Sequence, residues 1–238
     1  MSGTLFAGLD LGKKRDFTAV AVLERSREQR DPVPGSFRLQ HVNVYTVKQL
    51  DRVRQESYEA VANKTTQLMR LPLMRGALLA VDETGVGSAV TDMLKARGLS
   101  PKAVTITGGD KVSRDVNSYR IPKRDLVTTV ALLLESRRLK IPTALPLAQT
   151  LADELHNFKV TISALGHDSY GAGDEWREGA HDDLVLAVAL AAWFGEQVKG
   201  SSYTVTDPNA PQDADDPLPG VPAWYKRALA EQSAQKGS

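Results

Sequence analysis

The stretch Thr4-Leu5-Phe6-Ala7-Gly8-Leu9-Asp10-Leu11-Gly12 predicts a buried strand that ends on one carboxylate. Alternation along a strand places Asp10 on the same face as Phe6 and Gly8. The opposite face carries only apolar side chains: Leu5, Ala7, Leu9 and Leu11. Two largely apolar faces predict a central strand that is covered on both sides. An ionised carboxylate there needs a partner or a metal, unless Asp10 merely begins a turn before Gly12.

Length and composition limit the class of protein. The chain has 238 residues, 42% of them hydrophobic, which is enough to bury the core of one large domain or two small ones. Cysteine is absent, which excludes disulfides and Cys-based zinc sites and fits a reducing compartment. The formal net charge of +1 indicates no class of partner. Without a membrane-length apolar run or a signal-peptide pattern, the expected location is the cytoplasm.

Hydrophobic patterns predict one α/β domain over residues 1–199, followed by a Pro- and Asp-rich tail over 200–238 that we expect to be extended. The first three strands should form an antiparallel meander, and the later strand-helix-strand order implies parallel strands. The predicted strands are 17–23, 37–47, 77–81, 101–106 and 158–163. The predicted helices are 49–70, one after Gly87, and others from Pro122, Pro146 and Ala180. The Gly-rich segment 166–173 is expected to be a mobile hairpin or loop.

Acidic groups stand at the ends of three buried elements. Asp10 follows the first strand, Asp82-Glu83 follows the fourth, and Asp182-Asp183 begins the last helix. If the fourth strand lies parallel beside the first, Asp10 and Asp82 meet where open α/β sheets bind ligands. Alternation sends Glu83 to the opposite face, so it is the weaker candidate.

The last helix offers a third ligand. Asp183 shares a face with core-like Ala187 and Leu190, whereas Asp182 is rotated away by about a third of a turn. We therefore expect Asp183 to be a ligand and Asp182 to be a helix cap or an outer ligand. The alternative is that one caps the helix and the other complements its dipole.

Three converging carboxylates repel each other unless a cation joins them. Hard oxygen ligands without Cys favour Mg²⁺ or Mn²⁺. Two such ions, about 4 Å apart, can clamp the attacking water and the leaving oxygen of a phosphodiester. The constellation therefore predicts nuclease chemistry.

On these motifs the sequence resembles the nuclease domain of tailed-phage terminase large subunits, in the ribonuclease H-like superfamily close to RuvC-type resolvases. The matching segments are 8–12 with 16–19, 81–87 (V-D-E-T-G-V-G) and 181–187 (H-D-D-L-V-L-A), and more weakly 121–123 with 138–142. The resemblance implies an α/β, ribonuclease H-like mixed sheet of five or more strands. It implies that the first three strands are antiparallel, that the later ones are parallel and that helices cover both faces.

The resemblance also implies a metal-dependent endonuclease that cuts concatemeric viral DNA during genome packaging, in the host cytoplasm. It gives catalytic and metal-ligand roles to Asp10, Asp82 and Asp183 with two Mg²⁺ or Mn²⁺ ions, and gives control of access to residues 160–178. The Gly-x4-Gly-Lys-Ser/Thr loop of packaging ATPases is absent. We therefore expect an isolated nuclease domain, a split subunit or a stand-alone relative. Its partners would be a separate packaging ATPase, a small terminase subunit or a portal.

Double-stranded DNA is the expected substrate, and residues 111–140 carry an excess of basic side chains that could follow its phosphates. Lys123, at a helix start, is the leading candidate contact. Next come the other basic candidates: Arg120, Arg124, Lys13, Lys14 and Arg15. The alternative is a solvated helix face. Phosphate contacts predict little sequence specificity. His181 is either a proton shuttle or an ordinary residue before a helix.

Three other functions stay open. The segment Asp10-Leu11-Gly12 also resembles the first phosphate loop of sugar-kinase and actin-like ATPases, but no second phosphate loop is visible in the sequence. A resolvase that acts on branched DNA is a closer alternative. The third is a catalytically inactive scaffold that binds the packaging machinery.

Overall fold

The structure, a computed structural model, describes residues 3–12, 16–30, 40–85, 87–164 and 182–198. Within these residues, eight strands form one sheet: β1 (Thr4–Asp10), β2 (Phe17–Arg30), β3 (Gln40–Arg54), β4 (Leu78–Asp82), β5 (Lys102–Thr107), β6 (Ser113–Arg114), β7 (Ser118–Pro122) and β8 (Leu139–Lys140). The α-helices are α1 (Tyr58–Met69), α2 (Gly87–Ala96), α3 (Lys123–Glu135), α4 (Ala148–Ala164) and α5 (Asp183–Gln197), and a short 3₁₀ helix covers Pro72–Met74.

The strand order is β6-β7-β5-β4-β1-β2-β3-β8, which places β1 inside the sheet. The pairs β1–β2 and β2–β3 are antiparallel, so the first three strands form the predicted meander. The pairs β1–β4, β4–β5 and β5–β7 are parallel. The predicted α/β fold with a mixed sheet is therefore confirmed, and the short edge strands β6 and β8 extend it.

Helices cover both faces of the sheet, as the alternation in β1 predicts. Phe6 packs in one cluster with α3, α4 and α5, and Ala7 and Leu9 pack in the other with α1 and α2. At Gly8 an added Cβ would lie 2.0 Å from the carbonyl oxygen of Ala187. Gly8, which has no Cβ, therefore allows β1 and α5 to lie against each other at this point.

The helix predicted over 49–70 is wrong at its start. Residues up to Arg54 belong to β3, which pairs with β2 along its whole length. The helix begins at Tyr58 after the N-cap Ser57, whose Oγ accepts a hydrogen bond from the N–H of Ala60 at 3.2 Å. Leu50 fits a helical spacing, but it is buried in the sheet, and strand pairing overrides the local pattern.

The strand predicted over 158–163 is also wrong, because the backbone there continues α4. Its β-branched alternation is strand-like, yet apolar residues recur at helical spacing through the same segment: Leu151, Leu155, Phe158 and Ile162. No Gly or Pro interrupts α4, so nothing in the sequence ends the helix earlier. Segment 166–173 and the tail 200–238 lie outside the described residues. None of the helices in the described ranges is long and apolar enough to cross a membrane.

Candidate active site

The carboxyl ends of β1 and β4 bring two carboxylates together. Leu9 pairs with Val81 in the parallel register, so Asp10 and Asp82 come next on neighbouring strands. The two residues are 6% and 8% exposed, and the charge of Asp82 is among the causes that raise the pKa of Asp10.

The third carboxylate comes from α5. Asp183 is the first residue of that helix and is 8% exposed. Ala187, about one turn later, lies over Gly8, and this contact brings the helix start to the end of β1. The structure therefore brings Asp10, Asp82 and Asp183 to one place, with Asp182 beside them.

Asp10 is in an unfavourable electrostatic position. Burial raises the pKa of Asp10 well above its usual value, and the negative charges of Asp82, Asp183 and Asp182 raise it further. Ionised Asp10 is therefore disfavoured unless a cation compensates, and the oxygen donors fit Mg²⁺ or Mn²⁺. In the part of the chain that the structure describes, no three His, Cys, Asp or Glu side chains stand ready to ligate one ion.

Protein donors hold the carboxylates around Asp10. The Asp82 Oδ1 atom accepts hydrogen bonds from the Thr84 N–H at 2.8 Å and from the Thr84 hydroxyl at 2.5 Å. The Lys123 Nζ lies 3.0 Å from the Asp182 Oδ2, and the Arg52 Nη2 lies 2.9 Å from the Asp183 Oδ2. The two cationic side chains neutralise part of the negative charge of the cluster.

Arg52 and Glu154 complete the site, and neither was a candidate from the sequence. The Arg52 Nη1 lies 3.2 Å from the Glu154 Oε1, and the guanidinium carbon lies 3.8 Å from the centre of the Phe17 ring. Arg52 stands 131 residues before Asp183 in the chain. In the sequence, Arg52 is simply a charged residue on a strand and Glu154 a charged residue on a helix. Many surface residues fit the same description.

The capping of α5 differs from the prediction for Asp182. That residue occupies the N-cap position, but its side chain makes no capping hydrogen bond, and it pairs with Lys123. Glu154 caps the helix from α4, since its Oε2 accepts hydrogen bonds from the N–H groups of Leu184 and Val185 at 3.0 and 3.2 Å. A carboxylate is favoured there by the positive end of the helix dipole. The cap is thus supplied by a tertiary contact.

Burial raises the pKa of Glu154 to about 7, above the ordinary 4.5, although Arg52 and the two N–H groups oppose the shift. Since the folded-state value is the higher one, this group's contribution to stability is present below pH 4.5 and is lost as the pH rises through about 7. We expect the unfolding temperature of the metal-free protein to fall more between about pH 5 and 8 than that of Glu154→Gln. Thermal denaturation in chelator measures this, and equal falls in both proteins would contradict it.

The basic candidates are spread unevenly. Lys123 lies at the site through its contact with Asp182. Arg124 is paired with Asp110 at 2.7 Å, and Arg120 is exposed on β7. The basic turn Lys13, Lys14 and Arg15 and the proposed shuttle His181 lie outside the described residues. Glu83 extends the pairing of β4 with β5, because its N–H donates to the carbonyl of Val104 at 2.6 Å.

Comparison with known families decides what kind of domain this is. The family model of the terminase RNase H-like domain matches residues 7–192, a range that includes Asp10, Asp82 and Asp183. The chain belongs to this family. The resemblance to terminase nuclease domains is thereby confirmed, and the mixed sheet is the RNase H-like sheet of the terminase family.

Two solved structures are similar to this chain at low sequence identity. The large terminase nuclease from thermophilic phage G20c is 22% identical to this chain, with a TM-score of 0.46. The alignment covers 79% of this chain and 80% of that chain. RuvC of T. thermophilus in complex with a Holliday junction substrate is 14% identical, with a TM-score of 0.28 over 81% and 93% of the two chains. Among curated proteins, none matches.

Proposed function

We propose that this terminase RNase H-like domain is a metal-dependent DNA endonuclease that cuts concatemeric viral DNA during genome packaging. One observation carries the proposal. Asp10, Asp82 and Asp183 come from three separate elements and are buried together, where burial and then their mutual repulsion raise the pKa of Asp10. A fold rarely gathers such charges unless a cation or a substrate joins them.

Asp10, Asp82 and Asp183 would hold two Mg²⁺ or Mn²⁺ ions, with Asp182 and Glu83 as weaker ligands. Bound ions of this kind activate a water and neutralise charge on the phosphodiester. The chain's own contribution is positioning. Thr84 orients Asp82, and its hydroxyl is in turn held by the N–H of Ile106 at 2.9 Å.

Lys123 is the basic residue best placed to contact a DNA phosphate. Its side chain is 22% exposed and lies beside Asp182, at the edge of the carboxylate cluster. Arg124 is partly neutralised by Asp110, so we give it and Arg120 a secondary role in DNA binding, together with the turn Lys13-Lys14-Arg15. Contacts to phosphates carry no base code, so cleavage should show little sequence specificity. A packaging ATPase, small terminase subunit or portal would bring the DNA to this site.

A plasmid assay tests the proposal. Supercoiled DNA should become open-circular and then linear with Mn²⁺ or Mg²⁺, and it should stay intact with chelator, because the acidic cluster needs a cation to approach a phosphate. A four-way junction and a linear duplex of the same sequence are the controls for substrate class. Cutting of the junction alone would replace the proposal with a resolvase. Intact plasmid with every ion would replace it with a scaffold.

A further inference from the structure

We propose that Arg52 is a built-in counter-cation that holds Asp183 in the metal-free site and moves onto Glu154 when a metal ion takes Asp183. Glu154 is then a positioning residue for the metal site, although it touches neither metal nor substrate. The inference rests on the proposed function, since it assumes that Asp183 is a metal ligand.

Arg52 is placed between two carboxylates. Its side chain is 11% exposed and stacks on Phe17, so it is held in the site rather than extended into solvent. The Nη2 donates to the Asp183 Oδ2 at 2.9 Å, whereas the Nη1 is paired with the Glu154 Oε1 at 3.2 Å without a hydrogen bond. Arg52 thus donates a hydrogen bond to Asp183 and makes only an ion pair with Glu154.

Glu154 is fixed in position. Two backbone N–H groups at the start of α5 hold the Glu154 Oε2, and the residue is 6% exposed. The Glu154 Oε1 is buried and accepts no hydrogen bond, and the Arg52 Nε is buried and donates none. Buried polar atoms in this state are costly and rare, so this pair is a ready destination for the guanidinium.

Replacing Arg52 and replacing Glu154 should change the Mn²⁺ affinity in opposite directions. A metal ion must displace Arg52 from Asp183, so Arg52→Gln removes the competitor and should tighten Mn²⁺ binding. Glu154→Gln removes the charge that receives Arg52, so the guanidinium stays on Asp183 and Mn²⁺ binding should weaken. Because groups behind metal ligands change affinity by about 10–100-fold, we expect about tenfold in each direction.

Calorimetric titration of the full chain with Mn²⁺, without DNA and at pH 8.5 where Glu154 is ionised, measures both effects. In Arg52→Gln/Glu154→Gln the second change should have little effect, because the cation that it redirects is absent. If Arg52→Gln does not fold, Arg52→Met is measured in its place, because methionine keeps a long side chain against Phe17. Thermal denaturation checks that each variant is folded.

The far end of α5 offers matched controls. Arg25 is also buried and donates to the carbonyls of Gly195 and Val198, at 2.6 Å each. Glu196 pairs there with Tyr45 and Arg138. The helix has 15 residues, so this end is about 20 Å from Asp183. Arg25→Gln and Glu196→Gln should lower stability but leave Mn²⁺ affinity unchanged.

The outcomes separate this inference from the proposed function. A wild-type chain that binds no Mn²⁺ overturns the proposed function and this inference with it. A wild-type chain that binds Mn²⁺, with Arg52→Gln and Glu154→Gln both weaker, overturns only the inference, because both residues then act through the fold. Opposite shifts with unchanged controls support it.

Discussion

Asp10→Asn is expected to reduce Mn²⁺-dependent plasmid cleavage by about 10³-fold while leaving the metal-free protein at least as stable as the wild type. The loss follows because a metal ion contributes several kcal/mol to the transition state, and each ~1.4 kcal/mol is tenfold in rate. The retained stability follows from the raised pKa of Asp10, which is caused by burial and then by Asp82, Asp183 and Asp182. Its ionisation in the folded state opposes folding at neutral pH.

The sign of that stability effect can be tested directly. The folded-state pKa of Asp10 lies above the unfolded value of 3.8, so the stability linked to its proton is lost as the pH rises. Asparagine does not ionise, so the Asp10→Asn variant has no such loss. At pH 8 in chelator, the unfolding temperature of the variant should equal or exceed that of the wild type. Asp92→Asn, at a side chain 76% exposed on α2, is the matched control and should change neither quantity. Undiminished cleavage by Asp10→Asn would count against the assigned site.

Gly8→Ala is expected to lower the free energy of unfolding by about 1–3 kcal/mol or more, and to reduce cleavage as well. The added Cβ would lie 2.0 Å from the carbonyl oxygen of Ala187 and 3.1 Å from the backbone nitrogen of Ala191. Both are backbone atoms of α5, so no side-chain rotation relieves the clash. The helix must shift, and Asp183 at its start moves relative to Asp10.

Gly109→Ala is the control for the glycine substitution, because its added Cβ would meet only the Thr107 Oγ1 at an ordinary 3.8 Å. Its effect on stability should stay within about 0.5 kcal/mol. Urea denaturation of both variants gives the comparison, and plasmid nicking gives the effect on the site. Equal stability of the two variants would show that α5 does not lie against β1 as described.

Local sequence patterns are sufficient to predict the centre of the fold. The two apolar faces of β1, with Asp10 at its end, predict a central strand, and the segment from Ala180 is apolar nearly all round, which predicts a core helix. These signals are local, because burial on both sides of a strand or around a whole helix leaves few polar positions. The carboxylates at Asp82 and Asp183 were visible for the same reason, as charges at the ends of apolar runs.

The contacts that hold those charges depend on tertiary packing. Leu50 lies in a strand because β2 offers a partner along all of β3, and residues 158–163 are helical although their alternation is strand-like. Arg52 and Glu154 reach Asp183 and the start of α5 from β3 and α4, at chain distances that no local pattern spans. Periodicity reports which side of an element is buried, whereas an ion pair depends on which element lies opposite, and that is settled only when the sheet and helices pack.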